Sequence, residues 1–172
     1  NNSIEKAVQW AIGIANDNSH GYDQAHRTGP DYDCSSLVTI ALQKAGLGIG
    51  IGTTSTMLGQ LLGVGFKDVT ARVNRSSGSG MKRGDVLLKP GNHTAMYIGD
   101  GKMVHATINE FGGITGGKTG DQTGDEIAVM PYKNHPWTYV LRFGGRFKDG
   151  IGTINLSDLF GAIPKLANGG LV

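Results

Sequence analysis

The hydrophobic period of this chain changes at Gly84, and that change limits the folds open to it. Upstream, apolar residues recur at helical spacing. Downstream they fall into short runs rich in β-branched and aromatic residues, separated by Gly, Asp and Pro. Ile4, Ala7, Val8, Ala11, Ile12 and Ala15 predict an amphipathic helix over residues 4–16 with Ser3 as its N-cap. Residues 34–45 predict a second helix, with Asp33 at the cap, Lys44 in the last turn and Gly46 just past the end. Thr54–Leu62 reads as a shorter helix. Residues 17–33 and 74–84 are polar loops. Strands are expected at Asp85–Lys89, His93–Ile98, Lys102–Thr107, Glu126–Met130 and Thr138–Phe143, with a mobile loop over residues 109–124, which hold six glycines. Helices followed by consecutive strands argue an α+β domain, its helices packed on an antiparallel sheet of about five to six strands.

Composition removes several classes. Glycine supplies 29 of 172 residues, well above the usual ~7%. With only 5 prolines and no three-residue repeat, this signals turns rather than collagen. A formal net charge of +2 with scattered Lys and Arg gives no basic patch for nucleic acid, though it suits an anionic surface such as a cell wall. Ala45–Phe66 is a run of 22 residues without charge, the length of a membrane span. Its seven glycines and its polar Thr53–Thr56 and Gln60 argue against insertion. The glycines from Gly46 to Gly52 follow a helix rather than a strand, so they lack the context of a dinucleotide fingerprint.

The chain has 1 cysteine, Cys34, which excludes an internal disulfide. A free cysteine is ordinarily a buried apolar filler. Cys34, however, falls in the first turn of a predicted helix, where free N–H groups and the helix dipole favour a thiolate. His20, His26 and His135 lie in polar loops and read as solvated. His93 and His105 lie in consecutive predicted strands around Gly99-Asp100-Gly101, a hairpin turn signal. They are twelve positions apart. An even separation needs an odd-numbered loop to put both on one sheet face, so a three- or five-residue turn is expected, with a glycine bulge. A Cys34–His93–His105 constellation then follows triad logic: attack, proton exchange and orientation. Zinc is the rival use of the same residues, and no Cys-x-x-Cys, His-Glu-x-x-His or further clustered ligand supports it.

These residues also carry a resemblance. Tyr22, Asp33-Cys34-Ser35-Ser36-Leu37-Val38, Gly84-Asp85-Val86-Leu87-Leu88, His93 to Gly99 and Val104-His105-Ala106 resemble the NlpC-type papain-like cysteine peptidases. The closest likeness is to the phage peptidoglycan amidohydrolases, the endolysin and tail-associated lysin branch. The ordered match runs from about Ser3 to Phe143. The resemblance implies a papain-like fold over residues 1–146, with 147–172 a tail or the start of a following region. It implies Cys34 as nucleophile, His93 as general base, His105 as orienting residue, and no metal or other cofactor. Tyr22, twelve residues before the cysteine, would line the site, and Asp33 and Ser35 would border the substrate. Asp33 is expected to cap the helix rather than perform chemistry. Ser36 stands where many relatives have glycine, a departure the phage branch shares.

The implied substrate is bacterial peptidoglycan, outside the membrane and at the cell wall. Two amides are open: the γ-D-glutamyl bond to the diamino acid, which is preferred, and the bond between muramic acid and L-alanine. A silent wall-binding virion module and a papain-like acyltransferase are the readings from other classes. Ile163 to Val172 resembles glycine-containing segments of phage tail tape-measure proteins. Together with Asn1 in place of an initiator Met, it suggests a lysis domain cut from a larger virion protein.

Overall fold

A computed structural model describes residues 2–144; the expectations for 147–172 lie outside the described residues. Three helices come first: α1 (Asn2–Ala15), α2 (Cys34–Lys44) and α3 (Met57–Gly63). Six strands follow: β1 (Phe66–Asp68), β2 (Val86–Lys89), β3 (His93–Gly99), β4 (Lys102–Ala106), β5 (Ile127–Pro131) and β6 (Tyr139–Phe143). They form one antiparallel sheet in the order β1-β6-β2-β3-β4-β5. The expected α+β architecture is the one observed, at the upper end of the expected strand number.

The strands read as near-continuous apolar runs because both sheet faces are covered. On one face Val86, Leu88, Met96, Val104 and Leu141 meet Ala7, Val8 and Ala11 of α1, Val38, Ala41 and Leu42 of α2, and Met57 and Leu61 of α3. On the other, Leu87, Ala95, Tyr97, Met103 and Val140 pack with Val69, Met81 and Trp137. Helix α2 is buried from Cys34 through Leu42, so it packs as a core helix rather than one with a wet face. The start of β2 is pinned by charge. Asp85, 1% exposed, accepts Arg142 Nε and Nη2 at 2.8 Å each and the Lys82 backbone N–H at 2.8 Å. This ties the Gly84-Asp85 segment to β6.

Some boundaries differ from the sequence reading. Helix α1 already includes Ser3, which therefore is not its cap. Helix α3 begins at Met57, with Thr56 before it making no side-chain cap bond. Strand β1 and the 3-10 turn Thr70–Arg72 were not expected. Phe66-Lys67-Asp68 has a single buried residue and becomes a strand only because β6, remote in sequence, pairs with it.

The loop over residues 109–124 is fastened rather than open. Asn109 Oδ1 accepts the Phe111 and Gly113 N–H groups at 2.9 Å. Asp121 accepts four backbone N–H groups, from Thr123, Gly124, Glu126 and Ile127. The loop also docks on residues 17–33. Asp31 Oδ1 accepts Gly21 N–H at 2.9 Å and Gly120 N–H at 3.0 Å, and Gln24 N–H donates to the Ile114 carbonyl at 2.7 Å. Gly21 permits this approach, since a Cβ there would lie 2.0 Å from the Gly120 oxygen.

Candidate active site

Cys34 opens α2 because the residues around it build a complete cap. Asp33, in extended backbone, accepts the Ser36 N–H at 2.8 Å, and Ser36 Oγ accepts the Asp33 N–H at 3.0 Å. Arg27 fastens the outside of this cap. Its Nε donates to Asp33 Oδ2 at 2.7 Å, its Nη2 donates to Ser35 Oγ at 3.1 Å, and Nη2 also reaches the Gly52 carbonyl. Ser35 Oγ donates in turn to Asp33 Oδ1 at 3.2 Å. The Asp33 and Ser35 side chains are thus engaged in holding the helix start, and the expected capping role of Asp33 is observed.

The Cys34 residue is 7% exposed. Backbone N–H groups of Thr94, Ser35 and Cys34 itself act on its sulfur. Burial, and after it the negative charge of Asp33, nevertheless push the thiol up to about 11. This reverses the expectation that the helix N-terminus lowers it. The donors are present, but removing a thiolate from water and placing it beside a carboxylate outweighs them. At neutral pH the resting group is a thiol.

The Thr94 donor comes from the residue next to His93, so β3 brings the cysteine and the first histidine to one place. His93 Nε2 lies 2.9 Å from His105 Nδ1, with ring centroids 5.2 Å apart. The pairing was expected; the turn that makes it was not. Only Asp100 (φ 53°) and Gly101 (φ 68°) separate the Gly99–Lys102 pair. The odd residue sits within the strand instead. Tyr97 pairs with Met103 and Gly99 with Lys102, which leaves Ile98 as a bulge. Beyond it Met96 faces Val104, so His93 lies diagonal to His105 on the same face rather than directly opposite.

His93 is enclosed further by residues the sequence reading did not assign to the site. The Trp137 ring, 1% exposed, stacks on it at 5.7 Å and 21°. The His135 ring meets it edge-on at 5.0 Å and is held through Nε2 by Asn92 Oδ1 at 2.7 Å. His135 is therefore part of the site, not a solvated loop residue. Burial, followed by the charges of His105 and His135, lowers His93 to about 3. Burial, followed by His135 and Lys133, lowers His105 to about 4. Both imidazoles are neutral at pH 7, so only one nitrogen of the 2.9 Å pair carries the shared proton. Beside the pair lies a cleft of about 280 Å³ lined by His93, His105, His135, Lys133, Met103 and Met130, together with Asn92 and Thr107.

Tyr22 stands on the cysteine side, close enough for Cys34 and Asp33 to help raise its phenol, which burial takes to about 12. Its backbone N–H donates to Glu126 Oε1 at 2.9 Å, and Gln122 N–H donates to Oε2 at 2.9 Å. Glu126 is fully buried, and the sequence reading placed it only at the start of a strand. Neither it nor Arg27 carries a local motif. The only signal for Trp137 is an aromatic pair, His135 and Trp137, just before the last strand. Among the described residues no group of three or more His, Cys, Asp or Glu could hold a metal ion. No described helix is long and apolar enough to cross a membrane.

Comparison with known proteins gives a family and a fold. A family model described as an endolysin-like domain matches residues 27–104 and 103–146. Peptidoglycan DL-endopeptidase CwlO of Bacillus licheniformis is 32% identical over 113 residues, which are 60% of this chain and 22% of CwlO. This chain therefore spans under a quarter of that relative. NlpC1 of Trichomonas vaginalis superposes with a TM-score of 0.50 at 18% identity, covering 83% of this chain and 44% of that one. RipD of Mycobacterium tuberculosis, described as a non-catalytic NlpC/p60 domain protein adapted to peptidoglycan binding, gives 0.51 at 17% identity, covering 83% and 97%. The fold is that of the NlpC/p60 papain-like domains.

Proposed function

The chain belongs to the endolysin-like domain family, and from that membership we propose that it hydrolyses an amide of the peptidoglycan stem peptide through Cys34. The observation that carries this reading is the 2.9 Å His93–His105 pair across β3 and β4, beside Thr94, whose backbone N–H acts on the Cys34 thiol. A neutral imidazole with its proton on Nε2, donated to His105 Nδ1, leaves Nδ1 of His93 free to accept a proton. His105 thereby selects the useful tautomer.

In the proposed reaction His93 Nδ1 takes the Cys34 proton as sulfur adds to the carbonyl carbon. The oxyanion is received by backbone N–H groups at the start of α2, including that of Cys34. His93 then protonates the departing amine nitrogen, the C–N bond breaks, and a thioester remains. Water, losing a proton to His93, attacks the thioester; the acid leaves and the sulfur regains its proton. A thiol raised to about 11 beside imidazoles lowered to about 3 and 4 means that charge is created only as bonds form. No metal or cofactor has a part in these steps. Tyr22, Asp33 and Ser35 border the acyl side, the last two through the helix start that they hold.

The favoured bond is γ-D-glutamyl to the diamino acid, supported by the CwlO likeness; cleavage between muramic acid and L-alanine is the alternative. The endolysin-like family description speaks for a phage-derived lysin; action outside the cell at the wall, released or carried on the phage tail, belongs to the same proposal. The test is incubation with purified peptidoglycan of several chemotypes beside Cys34→Ala, with fragments identified by mass spectrometry. New stem-peptide or glycan ends absent from the variant support the reading, and their masses choose the bond. Binding without fragments in any chemotype would support a second reading, a silent wall-binding module, for which the RipD likeness and the raised thiol speak.

A further inference from the structure

We propose that the cleft beside the histidine pair receives the residue on the amine side of the scissile bond, and that Lys133 makes it select a diamino acid bearing a free carboxylate. The proposal rests on the hydrolase reading, in which His93 delivers a proton to the leaving nitrogen. The residue carrying that nitrogen must then lie against His93. The cleft is walled by His93 and His105, while Cys34 lies outside its lining.

The chemistry of the cleft is one-sided. No Asp or Glu lines it. Lys133 is exposed and forms no ion pair with a carboxylate among the described residues. Lys89, paired with His93 across the β2–β3 ladder, lies outside this lining, and both lysines act electrostatically on His135. Thr107 and Asn92, also in the lining, can hydrogen-bond a ligand. Met103 and Met130, partners across β4–β5, give an adaptable apolar floor.

A methylene chain ending in a carboxylate-bearing centre suits such a site; one ending only in an ammonium meets the like charge of Lys133. meso-Diaminopimelate and lysine, the alternative third residues of stem peptides, differ in this respect. The carboxylate is drawn to Lys133 and the bare ammonium repelled, so an approximately ten-fold preference is expected even with Lys133 partly solvated.

Two peptides that differ only in this residue after γ-D-glutamate test the proposal. kcat/KM is compared for the native protein, Lys133→Glu and Lys133→Met. The native protein should favour the diaminopimelate peptide about ten-fold, Lys133→Met should flatten the ratio and Lys133→Glu should invert it. Equal native rates, or a ratio indifferent to Lys133, overturn the inference while leaving hydrolysis intact. Binding of the same two peptides to Cys34→Ala, with and without Lys133→Glu, gives a readout without turnover. If neither peptide is cleaved, the hydrolase reading falls. Carboxylate-dependent binding lost in Lys133→Glu would then still uphold the cleft's selectivity, and binding blind to that charge would overturn it.

Discussion

Cys34 is held mainly by near neighbours in sequence, whereas His93 is held by residues brought from far along the chain. Asp33, Ser35 and Ser36 close a capping box around the cysteine, and Arg27 braces it. His93 instead leans on His105 across a bulged hairpin and on His135 and Trp137 from the segment before β6. The cysteine end is stabilised by local hydrogen bonds and an ion pair that form with the helix. The histidine end depends on the completed sheet. Each half should therefore fail in its own way when perturbed, the first through helix capping and the second through ring orientation and burial.

The largest effect should come from the atom both ends serve. Cys34→Ala should reduce release of wall fragments by at least ~10⁴-fold without altering the fold, read by mass spectrometry beside circular dichroism. Loss of the orienting ring is milder: His105→Ala should lower kcat ~10²-fold, with KM changed little, because His93 remains but loses its tautomer partner. Retention of full kcat would show that the two rings are coupled in space only.

Acid should act on the histidine half. His93 and His105 sit at about 3 and about 4, below their ordinary 6.5. Between those limits the unfolded chain binds protons that the folded chain refuses. Stability is thus complete above pH 6.5 and falls as pH drops towards 4, by up to ~1.4 kcal/mol per pH unit for each ring. Urea midpoints at pH 7 and pH 5 measure this, and His105→Gln should flatten the slope. For the cysteine half, Ser36→Ala breaks one arm of the capping box and should cost ~1 kcal/mol in the same assay at either pH. The smallest change is expected far from the site. Glu5, which pairs with Arg83 at the surface, should cost under ~1 kcal/mol when made Gln.

What the sequence by itself determined follows the same division. The period change at Gly84, the cap signal at Asp33 and the even spacing of His93 and His105 depend on neighbours within a few residues or on strand parity, which the chain order already contains. They were enough to foresee helices on an antiparallel sheet, a cysteine at a helix start and two histidines on one face. Only the tertiary structure decided the rest. Strand β1 exists because β6 pairs with it, and the bulge at Ile98 accommodates a tight turn in a register set by the packing of both sheet faces. His135 and Trp137 enter the site, and Glu126 anchors Tyr22, through contacts between segments remote in sequence. The thiol's rise to about 11 likewise follows from burial, which local position does not reveal. Parity and capping are short-range geometry; burial and long-range pairing arise only when separate segments exclude water together.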